Sequence, residues 1–129
     1  MRPCTEGLDA RAPFDINYTV TMRSYLGEFE QLLLFALVQL EGDAYGIRIR
    51  EAIERRTGRS LSPGAVYTAL DRLEKRGLVS STLGEPSPKR GGKRKRYYRL
   101  EPEGTALLRR SHDALIRMAR GLAPKLETS

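Results

Sequence analysis

The chain has 129 residues, a length that fits one domain with an appended arm or helix. Its composition, 40% hydrophobic and 30% charged, is that of a soluble globular protein, and its longest apolar run, Leu32–Val38, is far too short to span a bilayer. Cys4 is the only cysteine and His112 the only histidine, so we expect no metal site, no cofactor and no Cys–His or Ser–His catalytic pair.

The N-terminal sequence and the cysteine content indicate in which cellular compartment the protein is located. The N-terminus, MRPCTEGLDA, has no apolar stretch that could serve as a secretory signal. A single free cysteine agrees with a reducing compartment. The sequence therefore predicts a cytoplasmic protein without enzymatic activity.

The positive charge is concentrated in one segment. Between Glu85 and Arg99 there are seven Lys or Arg residues and one acidic residue, which accounts for +6 of the total net charge of +7. Such a segment suits a polyanion, because each neutralised phosphate releases condensed counterions. Charge alone is equally consistent with a solvated loop, so the predicted structure around the segment must distinguish between the two interpretations.

The first elements are an arm and two helices. Residues 1–24 show little periodicity and are predicted to be an N-terminal arm, with Met22 as an alternative start. From Leu26, apolar residues recur with helical spacing around most of the circumference, which predicts a buried helix ending near Glu41–Gly42 with Gly42 in a left-handed cap. Asp43 is the predicted N-cap of a second helix, which Thr57-Gly58 closes.

A third helix has the clearest start signal. Ser62 can cap the exposed amides, and Pro63 fits the first helical position without losing a hydrogen bond. Val66, Leu70 and Leu73 recur at i, i+4 and i+7 and are predicted to face the core, and Gly77 ends the helix. Two helices joined by a short turn form a helix-turn-helix pattern. The outward side would then carry Gly64, Tyr67, Thr68, Asp71, Arg72 and Lys75.

A hairpin and a final helix complete the chain. Leu78–Leu83 and Lys95–Leu100 read as strands around a Gly- and Pro-rich loop, so the cationic segment is the tip and returning limb of a hairpin. Tyr97 and Tyr98 would then point to opposite faces. Either could stack on bases, but packing in the hairpin is favoured for at least one. A last helix is predicted from Pro102 to about Leu122, ending before Pro124.

The apolar stripe of the last helix is short. Leu108, Leu115 and Leu122 repeat every seven residues over only two heptads, too few for an independent coiled coil. The stripe must be covered by the first helix or by a partner subunit. His112 lies on or near it, and we interpret it as an incidental interface residue rather than a pH switch.

Three helices followed by a two-stranded hairpin make a winged helix-turn-helix, a mainly α fold with a small β-hairpin (α+β), followed here by a C-terminal helix. The major groove admits a helix braced by two others, and a hairpin tip reaches adjacent phosphates or the minor groove. In that geometry Arg72 could bind a guanine edge, Thr68 could touch a thymine methyl group, and Asp71 would need a cytosine amino group or a salt bridge with Arg72 or Lys75. The alternative for this face is a solvent-exposed helix with mixed charges.

Three motifs also resemble a known family. D-A-Y-G-I at 43–47, S-P-G-A-V-Y-x-x-L-x-R-L-E at 62–74 and R-G-G-K-R-K-R-Y-Y at 90–98 together resemble the PadR-type transcriptional regulators, over about Leu26–Gly104. The resemblance implies a homodimeric cytoplasmic repressor of a palindromic operator, with the C-terminal helices contributing to the dimer. It also places Tyr67 and the basic hairpin residues at DNA-contacting positions.

Two departures from the family pattern concern the end of the chain. Glu101-Pro102 opens the final helix where the family often has a Ser or Thr cap, so the first turn lacks that support. One helix follows the hairpin, which leaves little room for a dedicated ligand domain.

These inferences define the expected organisation and sites. The expected units are an arm at 1–24, a winged helix-turn-helix DNA-binding domain at 25–101, a dimerisation helix at 102–124 and a tail at 125–129. The expected DNA-binding residues are Ser62, Gly64, Tyr67, Thr68, Arg72, Lys75, Lys89, Arg90, Lys93, Arg94, Lys95 and Arg96. The expected dimer contacts are Leu108, Leu115, Met118, Ala119 and Leu122. Binding of one duplex by both elements requires the Lys89–Arg96 strip to lie on the same side of the molecule as Tyr67 and Arg72.

Several alternatives remain open. Tyr45 could line a pocket for a small-molecule effector at the dimer interface, although packing against the first helix with its hydroxyl bonded to backbone is favoured. No residue pattern identifies an effector. A phosphate-loop reading of GGKRK fails because Arg94 follows Lys93. A membrane-surface protein would need an amphipathic basic helix, whereas this charge lies on a hairpin. A protein-interaction module with a winged-helix fold is the main rival function.

Overall fold

The computed structural model describes residues 25–86 and 94–127. The arm at 1–24 and the predicted hairpin-tip residues Lys89, Arg90 and Lys93 lie outside the described residues. In chain order the elements are α1 (Glu28–Leu40), α2 (Gly46–Thr57), α3 (Pro63–Lys75), β1 (Val79–Pro86), β2 (Arg94–Leu100), α4 (Pro102–Ala119) and α5 (Ala123–Glu127). In these two ranges no helix is both long and apolar enough to cross a membrane.

Helix α1 is the centre of the core. Leu33 and Leu34 are fully buried, and the helix contacts α2, α3, α4 and β2, as its nearly all-round apolar sequence predicts. The prediction of a left-handed Gly42 is wrong, because the positive φ of 45° falls on Glu41. The backbone turns there so that the Asp43 N–H can donate to the Leu40 carbonyl oxygen at 2.9 Å.

Helix α2 starts later than its local signals indicate. The prediction that Asp43 is the N-cap is wrong, because Tyr45 occupies the N-cap position. The Asp43 carboxylate instead pairs with Arg48 at 2.9 Å. The chain stays extended through Ala44 and Tyr45 because it pairs there with β2, where the Tyr98 N–H donates to the Ala44 carbonyl oxygen at 2.8 Å. The predicted C-terminal end is confirmed, with Gly58 in the left-handed region at φ 76°.

Helix α3 matches its prediction closely. The Ser62 hydroxyl accepts a hydrogen bond from the Ala65 N–H at 3.1 Å, and Pro63 occupies the first turn. Val66, Leu70 and Leu73 are buried, as predicted from their spacing. Their burial fixes which side of α3 faces away from the protein.

The two strands form an antiparallel hairpin, called the wing here and comprising β1 and β2. Val79 pairs with Leu100 and Leu83 with Arg96, and a bulge between Leu83 and Pro86 shifts the register before Pro86 pairs with Arg94. β1 therefore extends three residues beyond its predicted end at Leu83.

Helix α4 packs its first half on the core. Leu107 and Leu108 are buried, and the buried Ser111 hydroxyl accepts a hydrogen bond from the Leu26 N–H at 2.8 Å. Leu108 is thus a core residue of the single chain, which differs from its predicted place at a subunit contact. The reason is that α1 covers this half of the stripe.

The end of α4 also differs from its prediction. The helix ends at Ala119, three residues before the predicted Leu122, and Gly121 takes a φ of 80°. Pro124 does not act as the stop, because it lies in the first turn of α5, where its missing N–H costs no helical hydrogen bond.

Gly104 permits the close approach of α4 to the start of the wing. A Cβ at this buried position would overlap the backbone carbonyl oxygen of Leu78, which cannot move aside as a flexible side chain could. Gly104→Ala is therefore expected to lower the free energy of unfolding by about 1–3 kcal/mol, measured by chemical denaturation. Gly64→Ala is the matched control, because no atom lies within 4 Å of its Cβ position. Equal stability of the wild type and Gly104→Ala would contradict this packing.

Candidate nucleic-acid interface

A groove of about 370 Å³ runs between α3 and the wing. Tyr67 of α3 stands on one side and the basic strand β2 on the other, while the start of α2 lies between them. The lining residues are Tyr45, Gly46, Ile47, Tyr67, Leu83, Arg94, Lys95, Arg96 and Tyr98. Three of these side chains are cationic and, among the lining residues that the structure describes, none is acidic. The groove is therefore suited to an anionic partner.

The outward face of α3 is open, as predicted. Gly64, Tyr67, Thr68, Asp71, Arg72 and Lys75 are all exposed. Asp71 pairs with Lys75 at 3.1 Å, one of the pairings predicted to offset its negative charge. Both side chains are exposed and lie one helical turn apart, so the pair adds little to the stability of the protein. It does reduce the repulsion that Asp71 would exert on a phosphate.

Side-chain hydrogen bonds attach the wing to α3. The Ser81 hydroxyl donates to the Glu74 carboxylate at 2.8 Å, and the Arg96 guanidinium donates to the Ser81 oxygen at 3.0 Å. These bonds link β1, β2 and α3 in one network. Arg96 remains exposed beside the groove, so this contact orients it without withdrawing its charge from solvent.

The two adjacent tyrosines of β2 have different environments. Tyr98 is buried in the core, and this burial raises the pKa of its phenol above the usual range, an effect that the positive charge of Arg96 only partly offsets. The phenol therefore stays neutral at physiological pH. Tyr97 is half-buried, and its ring packs on Tyr45.

The Tyr45 ring packs on the wing, whereas the favoured prediction placed it against the first helix. Its ring meets Tyr97 edge to face, with ring centres 5.5 Å apart and an interplanar angle of 70°. The Lys95 Nζ atom lies 4.0 Å from the centre of the Tyr45 ring. The extended backbone at Ala44 and Tyr45 explains this contact, because it aligns Tyr45 alongside Tyr97 as an isolated bridge.

The required juxtaposition with Tyr67 holds for the part of the strip that the structure describes, because Arg94, Lys95 and Arg96 share the groove with Tyr67. Arg72 is exposed on α3 but does not line the groove. Lys89, Arg90 and Lys93 lie outside the described residues. Ser62, by contrast, uses its hydroxyl to cap α3.

The sequence prediction missed two apolar residues of the groove. Ile47 is 55% exposed and Leu83 is 50% exposed, and both line it. The helical phase of Ile47 could have revealed this, because the buried stripe of α2 is formed by Ile49, Ala52 and Ile53, and Ile47 lies off it. Leu83 carried no comparable signal, because alternation along β1 places it on the same face as the buried Val79.

A second surface lies at the end of the chain. Leu115, Met118, Ala119 and Leu122 are exposed, as a partner contact requires. Ile116 and Leu126 add exposed apolar area that the sequence reading did not include. His112 lies at the border of this surface, where its ring packs edge to face on Phe35 with ring centres 5.3 Å apart.

Comparisons with known proteins agree with this geometry. A family model described as the transcriptional regulator PadR-like family matches residues 33–110. Over 90 residues the chain is 37% identical to an uncharacterised 37.1 kDa protein of a Streptomyces fradiae transposon, a match that covers 70% of this chain. The chain spans about a quarter (24%) of that relative's length.

Solved structures extend the likeness to the fold. A PadR family regulator from Eggerthella lenta is 26% identical with a TM-score of 0.59, covering 88% of this chain and 94% of that one. A PadR-like regulator from Bacillus cereus is 23% identical with a TM-score of 0.61, covering 78% and 92%. The predicted winged helix-turn-helix fold, mainly helical with a two-stranded antiparallel hairpin, is thereby confirmed.

Proposed function

Because the chain belongs to the PadR-like family of transcriptional regulators, we propose that it is a sequence-specific DNA-binding repressor that acts as a homodimer in the cytoplasm on a palindromic operator. The observation that carries the proposal is the groove in which Tyr67 faces Arg94, Lys95 and Arg96. A helix and a cationic hairpin on one side of the molecule can engage the same duplex together.

The two walls of the groove have different tasks in this proposal. α3 enters the major groove, where Arg72 binds a guanine edge and Thr68 contacts a thymine methyl group. Gly64, which has open space around it, lets the start of α3 approach the DNA backbone closely. The wing binds phosphates and supplies affinity that does not depend on sequence.

The exposed apolar surface of α4 and α5 supports a second copy of the chain as partner. Leu115, Met118 and Leu122 form an apolar surface that a second subunit would remove from water. A twofold dimer would place two copies of α3 about 34 Å apart, one helical turn of DNA. An operator with two related half-sites follows from that symmetry.

A binding measurement on two DNA molecules tests the function. The wild type is expected to bind the DNA upstream of its own gene more tightly than random DNA of equal length, at two salt concentrations. Arg72→Ala is expected to weaken binding to the upstream DNA by about 1–3 kcal/mol and to leave random DNA nearly unaffected. Arg55→Ala, an equal loss of charge at an exposed site on the last turn of α2, is the control.

Two other outcomes would change the assignment. If Arg72→Ala weakened both complexes equally, Arg72 would contact the backbone and not a base. If the wild type bound both DNA molecules equally weakly, and only at low salt, the chain would be better described as a protein-interaction module with a winged-helix fold.

A further inference from the structure

Two consecutive residues at the start of α2, Tyr45 and Gly46, contact both walls of the groove. Tyr45 contacts the wing and Gly46 contacts α3. Because these residues are joined by one peptide bond, the two contacts cannot move far apart. The dipeptide is therefore placed to set the separation between the wing and α3.

The contact with the wing has a backbone part and a side-chain part. The Tyr98 N–H donates to the carbonyl oxygen of Ala44, directly before Tyr45, at 2.8 Å. The Tyr45 ring packs on Tyr97, and the Lys95 ammonium group lies over its face. The backbone bond fixes where β2 meets α2, and the ring contacts fix the orientation of the basic strand.

The contact with α3 depends on the absence of a side chain. The ring and hydroxyl of Tyr67 lie against the Cα of the buried Gly46, so that a Cβ at this position would overlap them. Gly46 is not among the glycines with positive φ. The position requires glycine because of the close approach of Tyr67, and not because of its backbone conformation.

A second close approach, between Tyr97 and Gly84, extends this series of contacts to β1. Tyr97 lies against Gly84 of β1, where a Cβ would overlap the edge of its ring. Tyr97 is therefore held between Gly84 and Tyr45. Contacts therefore run without interruption from Tyr67 of α3 through Gly46, Tyr45 and Tyr97 to Gly84 of β1.

We propose that Tyr45 and Gly46 are positioning residues that hold the wing and α3 at the separation needed to engage one duplex. This inference rests on the proposed DNA-binding function. Holding both walls in place before binding reduces the ordering cost of forming the complex. Gly46 acts through Tyr67, and Tyr45 acts through Lys95 and Tyr97.

A double-mutant cycle tests the Gly46 contact, using the DNA upstream of the chain's own gene as the probe. Gly46→Ala is expected to weaken binding roughly tenfold, within the range of couplings between residues in contact. In a Tyr67→Ala background the added methyl group meets no ring, so Gly46→Ala should have almost no further effect. Gly42→Ala, with no atom within 4 Å of its Cβ position, is the control and should bind as the wild type does.

A second pair of variants tests the Tyr45 contact and keeps the proposal testable if Gly46→Ala fails to fold. Tyr45→Phe keeps the ring and should retain the affinity and the salt dependence of the wild type. Tyr45→Ala should weaken binding and reduce the salt slope, because the basic strand loses its support. Thermal unfolding of each variant establishes that the protein measured is folded.

The possible failures can be told apart. Absence of DNA binding by the wild type would overturn the proposed function, and this inference with it. If the wild type binds DNA but Gly46→Ala weakens binding equally in the wild-type and Tyr67→Ala backgrounds, only the positioning role of Gly46 is overturned. An equal weakening would indicate a general loss of stability, because that acts in both backgrounds. Equal salt slopes for Tyr45→Ala and Tyr45→Phe would overturn the role of Tyr45.

Discussion

Arg94→Ala combined with Arg96→Ala is expected to reduce the magnitude of the slope of log K against log salt concentration by about two and to weaken binding to any duplex roughly 100-fold at 50 mM salt. Each neutralised phosphate contributes about 0.9 to that slope. Both arginines are exposed on β2 beside the groove, so both can reach a phosphate. Fluorescence anisotropy over a salt series measures the affinity and the slope together.

A charge-matched control separates the local effect from the loss of net charge. Arg55→Ala with Arg56→Ala removes the same two charges from the last turn of α2, away from the residues that line the groove. This control should keep nearly the wild-type slope. An equal reduction of the slope in both double variants would exclude the wing as a distinct phosphate-binding element.

Met118→Glu is expected to convert the proposed dimer into a monomer and to weaken binding to the upstream DNA roughly 10²- to 10⁴-fold. In the proposed dimer, binding of one subunit holds the second at high effective concentration near the second half-site, and a monomer loses this advantage. Met118 is 78% exposed in the single chain, so the substitution leaves the core intact and acts on association. Sedimentation velocity gives the oligomeric state, and the same DNA measurement gives the affinity.

Ala106→Glu adds the same charge at an exposed site on a different side of α4 and should leave both measurements unchanged. Leu115→Glu should repeat the effect of Met118→Glu, since both residues belong to the exposed apolar surface. A dimer that persisted in both Met118→Glu and Leu115→Glu would place the subunit contact elsewhere.

The sequence predicted α3 well because its signals are local. Ser62 and Pro63 define the start of the helix, and the spacing of Val66, Leu70 and Leu73 defines its buried side. The exposed face follows from these residues without knowledge of the rest of the fold. This is why the placement of the outward side chains of α3 could be derived before the structure.

The predictions that failed depend on contacts between distant segments. Asp43 is a good local N-cap, but pairing of Ala44 with Tyr98 keeps the chain extended past it. The seven-residue repeat of leucines in α4 likewise does not show which of them are buried within the single chain. Leu108 is buried against α1, whereas Leu115 stays exposed. The close approaches at Gly46 and Gly84 are also invisible in the sequence, because the first arises only where α2 meets α3 and the second only where β1 meets β2.

The hydrogen bond from the Leu26 N–H to Ser111 has a practical consequence for labelling. It ties the point where the amino-terminal residues join the fold to α4, four residues before Leu115. A bulky affinity tag or fluorescent protein joined directly to Leu26 would begin next to the surface through which we propose that two copies associate. In a Cys4→Ser background, a dye on a cysteine introduced at Glu51, exposed in the middle of α2, would avoid that surface and the lining of the groove.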